Sequence, residues 1–485
     1  MGGNYEKGMY SQLMEVMARL DTVERESKKE ITRLNDEISD LKEENCHLRE
    51  ENQLLKDDNA RLKSMINNDS SNTSLPPSTD QKGGKPANAY NSRIKTDRKA
   101  GGQKGHRGTT LTKAEVEEKI RSGRCRHEIK TLGDPGTSLY VTKYVIDLDV
   151  ETVVTEVRIY ADQDGKIRIP PGYRSDVAYG AGIKSLAVSL YSEGVMSNDR
   201  IAAFLNAASG EGLHLSEGSI YGFCRKLSEQ AQESILHLEE GLLNQNVVAT
   251  DATPVTVNGV QDYIRNVSTQ ETVVYHAMKD KTIESLKKLP FFASYSGILV
   301  HDHETALYHF GTEHGECNAH LLRYLKKNTE ETGNEWSFKM TELFRRMNRE
   351  RKELIKAGIS SFQAAAIGSF EREYAGLVEK GRRENKTTAH QYAKEDEKTL
   401  LNRLEKYRHN HLLFLYDFSV PFDDNISERD LRKAKNRQKM AGGFRKDSGH
   451  EMYCNILTII ETLKKRKMGT IENIRKLFMG TPAIF

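Results

Sequence analysis

Near the start of the chain an apolar residue recurs at every seventh position: Leu34, Leu41, Leu48, Leu55 and Leu62. The positions three before them are Ile31, Ile38, Asn45, Asn52 and Asn59, with Ile66 closing the series. This is a heptad with leucine at d, and asparagine at a favours a two-stranded register at some cost in stability. In a parallel pair each g residue faces the partner's next e residue, giving Glu37–Lys42, Glu44–Arg49, Glu51–Lys56 and Asp58–Lys63, all of opposite sign. The pattern predicts a parallel coiled-coil homodimer over residues 10–66, not a lone solvated helix.

Other periods follow. "YVTKYVIDLDVETVVTEVRIY", within Leu139–Arg168, alternates apolar and polar residues and predicts two or three short strands, a small β module. From 185 to 230 the pattern is helical. Ser197 or Asn198 would cap one helix, Gly210 and Gly212 would break it, and Ser216 would cap the next. Two short helices about a glycine turn fit a helix-turn-helix that offers Ser219, Tyr221 and Arg225 to DNA, or a plain helical hairpin. From Asn246 the period returns to two. "VVATDATPVTV", "QDYIRNVST" and "TVVYHAMKD" predict three strands, the first two joined by an Asn258–Gly259 hairpin turn. "TIESLKKLPFFAS" then predicts a helix, and "GILVHDHETALYHF" a buried strand ending on Asp302. Trp336–Leu412 is helical and charge-rich.

Charge matters here through its position. The net charge of the 485 residues is only +3. After the coiled coil, "NNDSSNTSLPPSTD" cannot sustain a helix, and a cationic stretch follows. It carries Lys82, Lys85, Arg93, Lys95, Arg98, Lys99, Lys104 and Arg107 against one acid, Asp97. It is either a solvated linker or an arm that gains affinity for phosphates by releasing counterions. No run approaches the ~18 apolar residues of a membrane span, and no signal-peptide pattern opens the chain, so a cytoplasmic location is expected. Five unpaired-looking cysteines (46, 125, 224, 317, 454) suit a reducing compartment.

The candidate chemistry is carboxylate chemistry. Asp251 lies inside the first strand and Asp302 ends the fourth, and in a meander followed by a crossover those strands can be neighbours. Two adjacent carboxylates are costly unless a cation neutralises them. Magnesium is the natural choice, and paired ions suit phosphoryl transfer. Glu428 is the candidate third acid. Asn425-x-x-Glu428 is also the spacing of a helix capping box, so spacing alone leaves both readings open. Its surroundings are cationic, with Arg429, Arg432, Lys435, Arg437 and Lys439 following it, and Arg432, Lys435 and Lys439 on one helical face with it.

At these residues the chain resembles insertion-sequence 66 family transposases. "TDATPVTVNG", "HDHETALYHFGTEHGECNAHLLRYL" and "PFDDNISERDLRKAKNRQKMAGGFR" are similar to that family's signature blocks, and "SSNTSLPPS" with "GGQKGHRG" to its N-terminal linker. The resemblance implies a DDE transposase with a ribonuclease H-like α/β core, in which Asp251, Asp302 and Glu428 bind two magnesium or manganese ions. Such an enzyme cleaves the ends of its element and joins the 3′ hydroxyl to target DNA. DNA (terminal repeats and target), a second copy of the chain and accessory element-encoded proteins are the implied partners, in a bacterial, nucleoid-associated setting. The expected layout is a coiled coil at 10–66, a basic arm at 67–110, the β module at 111–175, a helix-turn-helix at 176–240 and the catalytic core at 241–485. The core would carry a helical insertion at about 336–412.

Two departures qualify the resemblance. Ala252 stands where many members have glutamate. Only Cys125 and His127 remain of the family's zinc-binding module, so the β module is expected to fold without metal. Cys317-x-x-His320 has ligand-like spacing but is half a site, and packing at a helix start is the expected role, with a DNA or active-site contact as the alternative. Two other functional readings remain: a dimeric DNA-binding regulator with an inert core, and a ribonuclease H-like nuclease without strand transfer.

Overall fold

The computed structural model describes residues 3–68, 111–123, 125–130, 132, 141–148, 150–210 and 212–481. Residues 69–110 of the predicted basic arm, with all of its named cations, lie outside these residues. Contacts divide the chain into two compact units, one of residues 1–83 with 315–423 and the other of 84–314 with 424–485.

The chain starts as one 65-residue helix, α1 (Gly3–Asn67), roughly 100 Å long at 1.5 Å per residue. Its heptad leucines are exposed within the single chain, Leu55 at 55%. A short helix, α2 (Lys113–Arg121), begins with a capping box between Thr112 and Glu115. The strands predicted for the β module are not seen among the described residues. Among described residues 141–148 and 150–170 there is no strand, and the alternating apolar side chains face solvent, Val145 at 94% and Val154 at 89%. Alternation gives a strand only where a neighbour completes the ladder and a core covers one face. Among the described residues neither accompanies this segment. Cys125 and His127 are exposed in irregular backbone.

The helices α3 (Ala181–Ser192), α4 (Asn198–Ala208), α5 (Glu217–Gln230) and α6 (Gln232–Leu243) follow. Ser197 is the N-cap of α4, and Ser216 caps α5 reciprocally with Ser219, as the sequence predicts. These helices do not close a core of their own. Val188, Ile201, Ile220 and Leu227 belong to the same apolar cluster as Ile264, Leu299 and Ile460, so the expected boundary near residue 240 is bridged by packing.

The sheet contains β1 (Val247–Ala249), β2 (Ala252–Val257), β3 (Val260–Ser268) and β4 (Val273–Met278). The short helices α7 (Ile283–Lys287) and α8 (Pro290–Ser294) then lead to β5 (Ile298–His301) and β6 (Glu313–Glu316). The strand path is β2–β3–β1–β5–β6, with β4 on β3. Asn258 and Gly259 both take positive φ (49° and 80°) at the predicted β2–β3 hairpin.

In the other unit five helices run in succession: α9 (Asn318–Thr332), α10 (Glu335–Lys356), α11 (Ala364–Asn385), α12 (Gln391–Lys406) and α13 (Arg408–Tyr416). The helical stretch is thus wider than the sequence suggests. Its buried carboxylate, Glu397, accepts from Trp336 Nε1 (2.6 Å), Asn334 (2.7 Å), Thr388 (2.8 Å) and Asn385 (2.9 Å). Cys317 is the N-cap residue of α9, and both it and His320 are buried, which places them at the expected helix start. The C-terminal end of α1 rests on this unit through Asp57, 3.0 Å from His390, and through Ser64, which bonds Glu331.

The chain ends in α14 (Asn425–Asp430), α15 (Arg432–Ala441), α16 (Asp447–Lys465) and α17 (Thr470–Phe478), all packed in the sheet-bearing unit. The Thr462 and Thr458 hydroxyls on α16 accept from the outward N–H groups of Val273 (3.1 Å) and Tyr275 (3.0 Å), covering the free edge of β4. α15 is tied to β2 by Gln438, which accepts from Thr256 N–H (2.8 Å) and donates to Thr256 Oγ1 (2.9 Å). Just beyond it Gly443 has φ 130°, and a Cβ there would stand 2.3 Å from Thr256 O. Gly443→Ala is therefore expected to destabilise this unit by about 2 kcal/mol or more. An unchanged thermal midpoint would contradict that contact.

Candidate active site

The strand carrying Asp251 is one strand with a gap. Ala249 pairs with Ser268 and Ala252 with Arg265, the same antiparallel register on both sides of Thr250–Asp251. Inside the gap side chains replace part of the ladder. Asp251 N–H donates to Asn266 Oδ1 (3.0 Å), and Thr250 Oγ1 donates to Asn266 O (2.7 Å). Asn266 N–H still reaches Asp251 O at 3.1 Å. A β1–β2 strand that sheds one backbone bond here can present its carboxylate without losing its place in the sheet.

The partner strand fixes the second acid. β1 and β5 are parallel with Val247 opposite Ile298, Val248 opposite Leu299 and Ala249 opposite Val300. Continued two residues, this register sets Asp251 level with Asp302. Both acids lie just past the carboxyl ends of their strands, the edge at which open α/β sheets bind ligands. His303, directly after Asp302, takes a left-handed φ of 38°, which turns the chain away at once.

α14 brings in the remaining acids. Asp424 is fully buried (0% exposed), and Glu428 is half-buried. The capping-box reading of Glu428 fails. The N-cap residue is Asp424, not Asn425, and its side chain makes no capping bond. A helix start one residue earlier puts Asn425 and Glu428 inside the helix. Asn266 also holds α14, its Nδ2 donating to Ser427 O at 2.9 Å. One buried amide thus touches the backbone at Asp251 and the helix that carries Asp424 and Glu428. Sequence reasoning missed Asn266, because a lone polar residue in "YIRNVS" has no spacing signal.

Electrostatics couple the four acids. Burial raises the Asp251 pKa and the Asp302 charge adds to this, while Lys435 and Lys281 pull it back. Burial pushes Asp424 well above the usual carboxylate range, with Asp251, Glu428 and Asp302 all acting in the same direction. Glu304 is the contrast. Burial opposes its ionisation too, but Arg265 and Lys281 outweigh it and hold the pKa low. Arg265 is fully buried, bonding Glu304 and Thr250 Oγ1 (3.1 Å). Carboxylates of this kind are hard oxygen donors, and their mutual repulsion is what a divalent cation would relieve.

The predicted cations separate into groups. Arg429, Arg432 and Lys439 are exposed, and Lys435 is the one whose charge reaches Asp251. Arg437 does not face outward. Its guanidinium lies over the rings of Tyr191 (4.7 Å), Tyr453 (5.7 Å) and Phe444 (5.8 Å), so it is a packing residue and not a phosphate contact. On α5, Tyr221 and Arg225 are exposed, whereas Ser219 is taken up in the cap of its own helix.

A family model described as "Transposase IS66 family" matches residues 177–452, more than half of the chain and every acid of the cluster. The chain belongs to the IS66 transposase family. Among curated proteins no relative matches it. The family match spans α3 to the first part of α16 and takes in neither α1 nor the basic stretch after it. No described helix is long and apolar enough to cross a membrane.

Because the folded pKa of Asp424 is raised above its unfolded value, the folded state binds more protons and stability falls as pH rises from about 4 toward the raised value. In chelator the wild-type thermal midpoint should therefore drop between pH 5 and pH 8, and Asp424→Asn should flatten that drop. Equal pH slopes for the two proteins would contradict the coupling.

Proposed function

We propose that this IS66-family protein is a DDE transposase whose Asp251, Asp302 and Glu428 hold two magnesium or manganese ions at the sheet's carboxyl edge. The observation that carries this reading is the β1–β5 register, which sets Asp251 beside Asp302. A ribonuclease H-like core accords with it, since an antiparallel meander is followed by a crossover to a strand parallel to the first. Bound ions would supply a lowered pKa for the attacking water or hydroxyl and charge neutralisation at the phosphate. The protein's own part is positioning. Asn266 fixes the Asp251 backbone, Ser427 O anchors α14 to the sheet, and Lys435 balances the acids from the next helix. Exposed Arg429, Arg432 and Lys439, Tyr221 and Arg225 on α5, and the arm cations from Lys82 to Arg107 are the proposed DNA contacts.

The same reading includes a homodimer through α1. Asp57 and Ser64, which touch the helical unit, are both heptad f residues, on the face opposite the a/d seam. The seam leucines remain exposed and available to a second copy. Changing Leu41 and Leu48 to Lys should convert the protein from dimer to monomer in sedimentation velocity. A wild-type monomer at tens of micromolar would remove the dimer from this reading.

The deciding experiment is magnesium-dependent cleavage and joining of DNA that carries the element's ends. Asp251→Asn, Asp302→Asn and Glu428→Gln should each lower the rate by more than about a hundredfold, the upper end of what losing an outer-sphere partner costs at metal sites. Circular dichroism and DNA affinity should stay unchanged. A folded and active Glu428→Gln protein would move the third ligand to Asp424. Activity surviving both aspartate changes would leave an inert-core DNA-binding regulator as the better account.

A further inference from the structure

We propose that the outward face of α10 is a separate contact for duplex DNA, a row of cations that lies along the phosphates of one strand. Arg345, Arg349, Lys352 and Lys356 are spaced four, three and four apart. On a helix this spacing keeps them within an arc of about 60° and strings them over roughly 16 Å. All four are exposed. Among the described residues none of them has an ion-pair or hydrogen-bond partner. Their neighbours in the same unit behave differently. Lys339 bonds Glu335 (2.8 Å), Lys327 bonds Asp396 (3.0 Å), and Arg346 and Lys380 bond Glu373 and Glu335.

Like charges at this helical spacing repel, so the row weakens α10 unless an anion lies along it. The helix is well anchored against that cost. Its opposite side buries Trp336, Met340, Phe344 and Met347. Arg351 donates to the carbonyls of Phe418 (2.6 Å) and Val420 (2.9 Å). The four cations line an open groove of about 350 Å³, with Asn348 and Leu322 beside them and Glu353 on one flank.

The ligand this suits is a repeating anion. Successive cations advance by about 4.5–6 Å along the axis, a regular charge row rather than a pocket shaped for one group. Duplex DNA presents one charge per ~3.4 Å on each strand, enough to meet every cation of the row. Such contacts would position DNA without reading its sequence. The inference rests on the reading of the protein as a DNA transposase, and it adds a surface in the helical unit that the sequence patterns did not single out.

The test is the salt dependence of binding to a fluorescent duplex of random sequence, using the full chain. R345Q/R349Q/K352Q/K356Q should make the slope of log affinity against log salt shallower by about 3 to 4. The charge-matched control K287Q/K339Q/R383Q/K476Q removes cations that are already ion-paired and should leave the slope near wild type. R345K/R349K keeps the charge and should also keep the slope. If the quadruple variant fails to fold, R349Q/K352Q should still lower the slope by about 2. An unchanged slope in the α10 variants, an equal loss in the control, or a wild-type protein without salt-dependent duplex affinity would each overturn the proposal. Cleavage of element ends by wild type is scored separately. An unchanged slope with cleavage intact sinks the α10 contact alone, whereas absent cleavage with the slope shift present sinks only the transposase reading.

Discussion

Four carboxyl groups crowd one edge of a sheet, and the sheet-bearing unit is arranged to hold them there against their mutual repulsion. The restraint is spread over three elements. A parallel ladder fixes Asp251 against Asp302, Asn266 ties that ladder to α14, and α14 delivers Asp424 and Glu428. None of these bonds is strong singly, since a hydrogen bond contributes about 1 kcal/mol net. Together they leave the acids no route apart that does not break the sheet or detach the helix.

Two buried carboxylates differ sharply in their surroundings. Glu397 is surrounded by four donors, which is how a protein makes an interior acid harmless. Asp424 has three other carboxylates as its electrostatic neighbours, and burial and repulsion raise its pKa together. The first arrangement stabilises the ionised form. The second disfavours it, which is the condition under which a cation is bound with most gain. A similar contrast divides the arginines, with Arg437 held among aromatic rings and Arg265 held between Glu304 and Thr250.

Much of this was legible in the sequence where one local rule decides. The three strands and the Asn258–Gly259 turn, the helix start at Ser197, the cap at Ser216 and the long first helix follow from periodicity and capping chemistry. The failures share a cause. The alternation at 139–168 has the right period, but a strand needs a partner that the period does not supply. Asn425-x-x-Glu428 has capping spacing, yet the helix starts one residue earlier. Arg437 sits in a cationic run, but Tyr191, from far earlier in the chain, joins Phe444 and Tyr453 in taking it inward. At the site itself, the two aspartates could be read because each ends or interrupts a strand. Asn266 could not, because its role exists only once β3 and α14 meet.

The first helix has a further property. It touches its own helical unit through one face and leaves the heptad seam on the other, so self-attachment and pairing do not compete for the same atoms. Partner choice in a zipper is written in the e and g charges and in the polar a residues. In the proposed dimer, partner preference would therefore be stored in a stripe that the helical unit does not use. That stripe is free to drift, or to be rewritten so that two related chains pair only with each other, without disturbing how either one folds.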